Sequence, residues 1–235
     1  DLSITATNSQ EKAQSLQKIL KVAVFYLGAK INKGTVVATH LEFNQQWGLG
    51  SSSTLVALIA QWLEIPAIPL FFQSLSGSGY DVATAVENQP ILYYLHEPQA
   101  PQWQKVKVPS FFKNTHFMYL GQKQNSAKEV KRFAELNSQP SQIDEISALS
   151  QKVLKASNLS ELQSLLKLHE KITSQMIGLE PIQKRLFPQF KGTVKSLGAW
   201  GGDFVWLVGL EQQSGYFNDL GYNQIFSYHQ LCDHQ

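Results

Sequence analysis

The sequence predicts an α+β fold in two layers. Three observations lead there. Strand-like and helix-like segments follow one another without the strict alternation that a doubly wound parallel sheet requires. Apolar stripes at helical spacing recur along a chain of 235 residues, 43% of them hydrophobic, enough to bury one large core or two small ones. Three glycine-rich turns stand at intervals, each joined to an apolar element. Pro109-Ser110 reads as a hinge, so residues 1–110 and 111–235 are expected to form two domains.

The elements follow in order. Leu2, Ile4 and Ala6 alternate as in a strand, and residues 11–27 place Leu16, Ile19, Leu20, Ala23 and Val24 on one face of a helix that Gly28 ends. Residues 35–43, rich in Val and Thr, read as a strand. Helices are expected over 52–63, 70–75 and 81–87, then a strand over 90–95 and a weaker one over 104–108. Beyond the hinge come a strand over 115–120 and a helix over 126–136, started by Ser126 with Glu129 in capping-box spacing. Helices over 143–156 and 159–177 follow, the second with a core stripe of Leu162, Leu165, Leu166 and Leu168. A helix over 180–187, strands over 193–197 and 204–209, a short helix over 215–220 and an edge strand over 224–228 complete the chain.

Composition excludes several function classes. Twenty basic and 18 acidic residues leave a net charge of +2, without the concentrated basic patch a nucleic-acid surface needs. No apolar run approaches the roughly 18 residues of a membrane span, and no signal peptide is evident. Cys232 has no partner for an internal disulfide, so a cytoplasmic location is expected. The six histidines show no metal-ligand spacing. As an edge strand, residues 224–228 would either be covered or pair with a second copy in a homodimer.

The chemistry concentrates in three turns. In Gly48-Leu49-Gly50-Ser51-Ser52-Ser53-Thr54, two glycines and four hydroxyl residues precede an apolar helix. Glycine lets the backbone approach an anion closely, and the unpaired amides and dipole of a helix start favour phosphate. The same composition also serves as an ordinary turn with a serine cap. It lacks the lysine of the standard P-loop. The second turn is Ser76-Gly77-Ser78-Gly79-Tyr80-Asp81-Val82-Ala83, where Asp81 is either a helix cap or a reactive carboxylate. The third, Gly198-Ala199-Trp200-Gly201-Gly202, separates two strands.

In this order the three turns resemble the GHMP kinase superfamily, named for galactokinase, homoserine kinase, mevalonate kinase and phosphomevalonate kinase. Residues 48–54 look like its second motif, the phosphate loop, and residues 198–202 like its third. The Gly-Tyr-Asp-Val-Ala stretch is similar to a bacterial subgroup with a Gly-Tyr-Asp-Ile-Ala signature. The resemblance implies an N-terminal mixed sheet with helices and an unusual left-handed crossover, followed by a ferredoxin-like C-terminal half. It also implies a first motif on opening strands; none is found here, so an N-terminally shortened chain is expected.

For function, the resemblance implies an ATP-dependent small-molecule kinase of the mevalonate or phosphomevalonate class, with Mg²⁺. Gly48, Leu49, Gly50, Ser51, Ser52, Ser53 and Thr54 would bind the nucleotide, with Ser52 also a Mg²⁺ ligand. Asp81 would be the catalytic base. Ser78, Gly79, Gly198, Ala199, Trp200, Gly201 and Gly202 would face the substrate, although Trp200 is equally readable as packing. Lys195, Lys123 and Ser126 are weaker candidates for phosphate or substrate contact. Mevalonate-type members carry a Mg²⁺-binding Glu at the position held here by Leu70. Two alternatives stand beside the kinase: an ATP-dependent decarboxylase of the diphosphomevalonate type, and a non-catalytic nucleotide- or metabolite-binding protein on the same fold.

Overall fold

The computed structural model describes residues 2–122, 133, 135–136, 139–198, 203–213 and 215–232. The helix expected over 126–136 lies almost wholly outside the described residues. The chain divides into two compact units, Asp1–Gln45 with Leu49–Val106, and Gln46–Gly48 with Lys107–Gln235. Three residues just ahead of the Ser-rich loop therefore belong to the second unit.

The first unit is mainly helical. Helix α1 (Gln10–Lys21) runs into a π-turn over Val22–Tyr26, and α2 (Ser51–Trp62), α3 (Ala67–Ser74) and α4 (Tyr80–Glu87) follow. Their apolar faces meet in one core of Ile19, Val22, Ala23, Val56, Ile59, Leu70, Phe71 and Val82. Strands β1 (Ile91–Glu97) and β2 (Ala100–Lys105) close an antiparallel hairpin, with Tyr93 opposite Trp103.

Two expected strands are not formed. Residues 2–6 and 35–43 carry no ladder, and among the described residues the sheet of this unit is the β1–β2 hairpin rather than a mixed sheet. A strand is a pairing, and alternation without an adjacent edge does not make one. Val36 is 92% exposed and Val37 is exposed beside it, so the two valines that suggested a strand do not pack.

The second unit follows the expected plan. Strands β3 (His116–Tyr119), β4 (Thr193–Ser196), β5 (Phe204–Val208) and β6 (Ile225–Ser227) form one sheet in the order β4-β5-β3-β6, each neighbour antiparallel. The later strand β5 inserts between β3 and β4, the split βαβ order of a ferredoxin-like sheet. Between β3 and β4 lie α5 (Pro140–Leu154), α6 (Leu159–Ile177) and α7 (Ile182–Leu186). After β5 come α8 (Tyr216–Asp219) and, after β6, α9 (Tyr228–Cys232).

Local chemistry explains the sharp ends of α6. The Asn158 side chain accepts from the Glu161 amide at 2.9 Å, and Gly178 takes the left-handed conformation at φ +67° that ends the helix. Leu162 and Leu166 pack with Val208 and Phe112 against one face of the sheet, as the leucine stripe predicts; Leu168 lies exposed. Met118, Val205 and Leu207 alternate to the opposite face, where Phe187, Phe190 and Phe217 cover them.

Candidate phosphate-binding site

The Ser-rich loop becomes a helix start without a side-chain cap. Gly48 and Gly50 both hold left-handed backbone, at φ +70° and +76°, which is why glycine stands at each. Gly50 is the N-cap of α2, and no side chain bonds the first turn. The alternative reading of these hydroxyls as caps is therefore not realised. The Thr54 hydroxyl instead donates back to the Gly50 carbonyl at 3.2 Å. The first-turn amides of Ser51, Ser52 and Ser53 have no intrahelical acceptor. Ser53 is buried, whereas Ser52 is exposed. Ser51, Ser52 and Thr54 line a cavity of about 260 Å³, together with Lys12, Ser15, Leu16, Thr39, His40, Gln45 and Leu58. The Lys12 ammonium donates to Gln45 Oε1 at 2.9 Å across its rim.

The second turn meets the first. Gly79, at φ +84°, is the N-cap of α4, so Asp81 sits inside the first helical turn and is not the cap. Its carboxylate lies beside the phosphate-type loop: a Cβ on Gly50 would come 3.8 Å from Asp81 Cβ and 3.9 Å from Cγ. Although its side chain reaches solvent, crowding by the surrounding protein raises the Asp81 carboxyl above its ordinary value, and a hydrogen bond from Tyr80 works the other way. Gly79 is closely held. A Cβ there would stand 3.2 Å from the Phe72 ring and 3.4 Å from the Tyr93 hydroxyl, which itself donates to the Ser78 carbonyl. A mainly apolar hollow of about 460 Å³ opens beside Ser76 and Gly77, lined also by Phe72, Leu75, Leu95 and His96.

Of the third turn, Gly198 is described, at φ +63°. Ala199, Trp200, Gly201 and Gly202 lie outside the described residues, as do Lys123 and Ser126. Lys195 is a correction. It is buried on β4, its ammonium 3.0 Å from Glu170 Oε2 and 2.7 Å from the Ser196 carbonyl, so it is spent inside the second unit and not offered to a phosphate. Leu70, at the position of the expected metal-binding Glu, is wholly buried in the first core.

Sequence reasoning missed Tyr93 and the cavity wall of Lys12, Thr39, His40 and Gln45, which reach the loop only through tertiary packing. Among the described residues no group of three or more His, Cys, Asp or Glu side chains is arranged to hold a metal ion. No described helix is long and apolar enough to cross a membrane.

Comparison with solved structures then decides the fold. The chain is similar to the mevalonate kinase of Methanococcus jannaschii, with a TM-score of 0.66, 19% identity, and coverage of 96% of this chain and 77% of that one. The fold is mevalonate-kinase-like. The Lin0012 protein from Listeria innocua matches with a TM-score of 0.64 at 17% identity, over 94% of this chain and 79% of its own. A second mevalonate kinase structure matches at 0.60 and 18%, over 93% and 76%. No family model matches the sequence, and no curated protein is significantly similar to it.

Proposed function

We propose that this protein is an ATP- and Mg²⁺-dependent small-molecule kinase, transferring the γ-phosphoryl group to a hydroxyl or phosphate of a mevalonate-like metabolite. The observation that carries the reading is the Asp81 carboxylate set against Gly50, at the uncapped start of α2. A mevalonate-kinase-like fold supports it.

The residues present fit a phosphate tail. The Ser51, Ser52 and Ser53 amides would donate to phosphate oxygens, and the positive end of α2 would favour their charge. The cavity of about 260 Å³ beside Ser51, Ser52 and Thr54 leaves room for the rest of a nucleotide. The exposed Ser52 hydroxyl is the candidate Mg²⁺ ligand, and a bound Mg²⁺ would supply charge neutralisation and orientation of the phosphates. Asp81 would accept the proton of an acceptor hydroxyl as its oxygen bonds to the γ-phosphorus and the bond to the ADP oxygen breaks. Crowding by the surrounding protein keeps the carboxyl nearer to neutrality than a free aspartate, which makes it a better base while it remains ionised. Ser78, Gly79, Gly198 and residues 199–202 are assigned to the acceptor, and a cytoplasmic setting suits such a substrate.

One observation favours a second reading, a non-catalytic binder: Leu70 replaces the carboxylate that mevalonate-type members use for metal, and it is buried in the core. Consumption of ATP over a panel of isoprenoid-pathway alcohols and sugars separates the two. Turnover on one acceptor, lowered by about 10²- to 10⁴-fold in Asp81→Ala, is expected for a kinase with that base. Nucleotide binding with no turnover on any acceptor supports the binder. Equal rates for wild type and Asp81→Ala would remove Asp81 as the base, and failure to bind nucleotide at all would remove the kinase and leave only a metabolite binder.

A further inference from the structure

We infer that Asp203 is a positioning residue, holding Gly48 in the segment from which the chain enters the Ser51–Ser53 helix start. The inference rests on the kinase reading only in calling the stretch a phosphate loop.

The segment Gln46–Gly48 belongs to the second unit although the helix it leads into belongs to the first. Each of its three residues is held separately. The Tyr119 hydroxyl donates to the Gln46 carbonyl at 3.1 Å. The Trp47 ring packs against Phe226, Phe204 and Tyr119, with centroids 4.9, 6.2 and 6.5 Å away, and its indole N–H donates to Gln224 Oε1 at 3.1 Å. Gly48 is held by Asp203. A Cβ on Gly48 would come within 2.5 Å of Asp203 Cγ, 2.6 Å of Oδ2 and 2.7 Å of Oδ1, so the carboxylate lies flat on the glycine backbone.

Asp203 is itself fixed. It is buried, and its carbonyl accepts from the Leu120 amide at 2.8 Å. On its other side is Gly198, whose Cβ would stand 3.9 Å from Oδ2. One side chain thus faces a glycine before the phosphate-type loop and another at the start of the third turn. Burying a carboxylate costs free energy that an apolar residue of the same size would not. What the carboxylate offers instead is a flat face that only glycine can lie against, because a Cβ at position 48 would overlap it. Leu49 alone separates the held Gly48 from the N-cap Gly50, so a change at Asp203 reaches the first amides of α2 through two peptide links.

Hydrogen exchange of residues 49–54 in the ligand-free full chain is the direct test, read beside thermal unfolding and the affinity of a fluorescent ATP analogue. Asp203→Ala is expected to speed exchange at 49–54 by about tenfold while protection in β3 and β5 is kept. Asp203→Asn, which keeps the shape, is expected to restore most of the protection. Where nucleotide binds, KM for ATP rises by a similar factor and kcat moves less. Gly48→Ala is expected to be damaging by itself and milder when combined with Asp203→Gly, because the double variant removes the clash. Unchanged exchange at 49–54 in Asp203→Ala, or strictly additive Gly48 and Asp203 effects, would overturn the inference. So would loosening spread evenly over the second unit. If Asp203→Ala does not fold, the Asn variant and the Gly48 cycle decide. If wild type binds no nucleotide, the kinase reading fails while the exchange result stands independently.

Discussion

Asp81 and Glu170 are both carboxylates on helices, and the protein treats them in opposite ways. Asp81 stands in the first turn of α4, against Gly50 at the start of the Ser-rich helix. Crowding raises its carboxyl, and a hydrogen bond from Tyr80 offsets this only in part. Glu170 lies in α6. Burial opposes its charge as well, but Lys195, Ser196 and the Ile182 amide outweigh that cost and hold it below the usual glutamate range. The hollow beside Glu170 is about 10 Å³, room for one water at most. A buried charge whose bonding capacity the fold consumes is architecture. A carboxylate raised by crowding and set against an uncapped helix start is available to a ligand. Next to Glu170, His169 is half-buried, and desolvation together with the nearby Lys195 pushes its pKa down to about 4.

The sharpest way to break this contrast is to remove Glu170. Glu170→Ala leaves Lys195 buried without its partner, and the expected loss is about 3–5 kcal/mol of unfolding free energy. Replacing both residues by apolar side chains of similar volume is expected to cost far less. Denaturant unfolding of the two variants checks it; a loss under about 1 kcal/mol in Glu170→Ala would mean that the pair is not the second unit's internal tie.

Asp81 is expected to behave with the opposite sign. Its carboxyl is raised in the folded state, so ionising it weakens the fold as pH rises through that raised value. Asp81→Asn is therefore expected to be more stable than wild type at neutral pH. The gain should fade as pH falls below the ordinary aspartate range, where both side chains are neutral. Melting temperatures of the pair across pH 3–8 give the answer. A variant less stable than wild type at pH 7 would place Asp81 among the structural carboxylates.

How far the sequence was legible follows the same divide between local and tertiary causes. Helix α6 spans Leu159–Ile177 as read, because its cap, its leucine stripe and its glycine stop are all written within the segment. The strands of the second unit fall within two residues of expectation, and their order produced the ferredoxin-like sheet. Residues 35–43 failed because a strand needs a neighbour that the segment itself cannot specify. Strand β2 begins at Ala100, four residues early, because the hairpin turns at Gln99 with φ +64°, a conformation that Pro98-Gln99 does not advertise. In the site, the glycines and serines were readable as a loop by composition. Asp203, Tyr93 and Lys12 were not, since nothing local tells which distant backbone they meet. Lys195 was misread for the same reason: its partner lies 25 residues away on α6.

The smallest expected effect is also the most local. Tyr93 stands on β1 with its ring stacked on Trp103 at 6.4 Å and edge-on to Tyr80 at 6.4 Å, and its hydroxyl donates to the Ser78 carbonyl. Trp103 is fixed in turn, its indole N–H donating to Glu87 Oε1 at 2.9 Å, while Glu87 pairs with Lys105 at 2.7 Å. Burial raises the Tyr93 hydroxyl, so it remains a protonated donor throughout the neutral range. Tyr93→Phe keeps the stack and removes one hydrogen bond, at an expected cost of about 1 kcal/mol in stability. The Ser78–Gly79 turn leads directly into Asp81, so the same change should reach the acceptor side as well. A rise of roughly fivefold in acceptor KM, with nucleotide affinity unchanged, corresponds to that energy. A change in nucleotide affinity instead would show that the Tyr93 hydroxyl supports the α2 start and not the Asp81 turn.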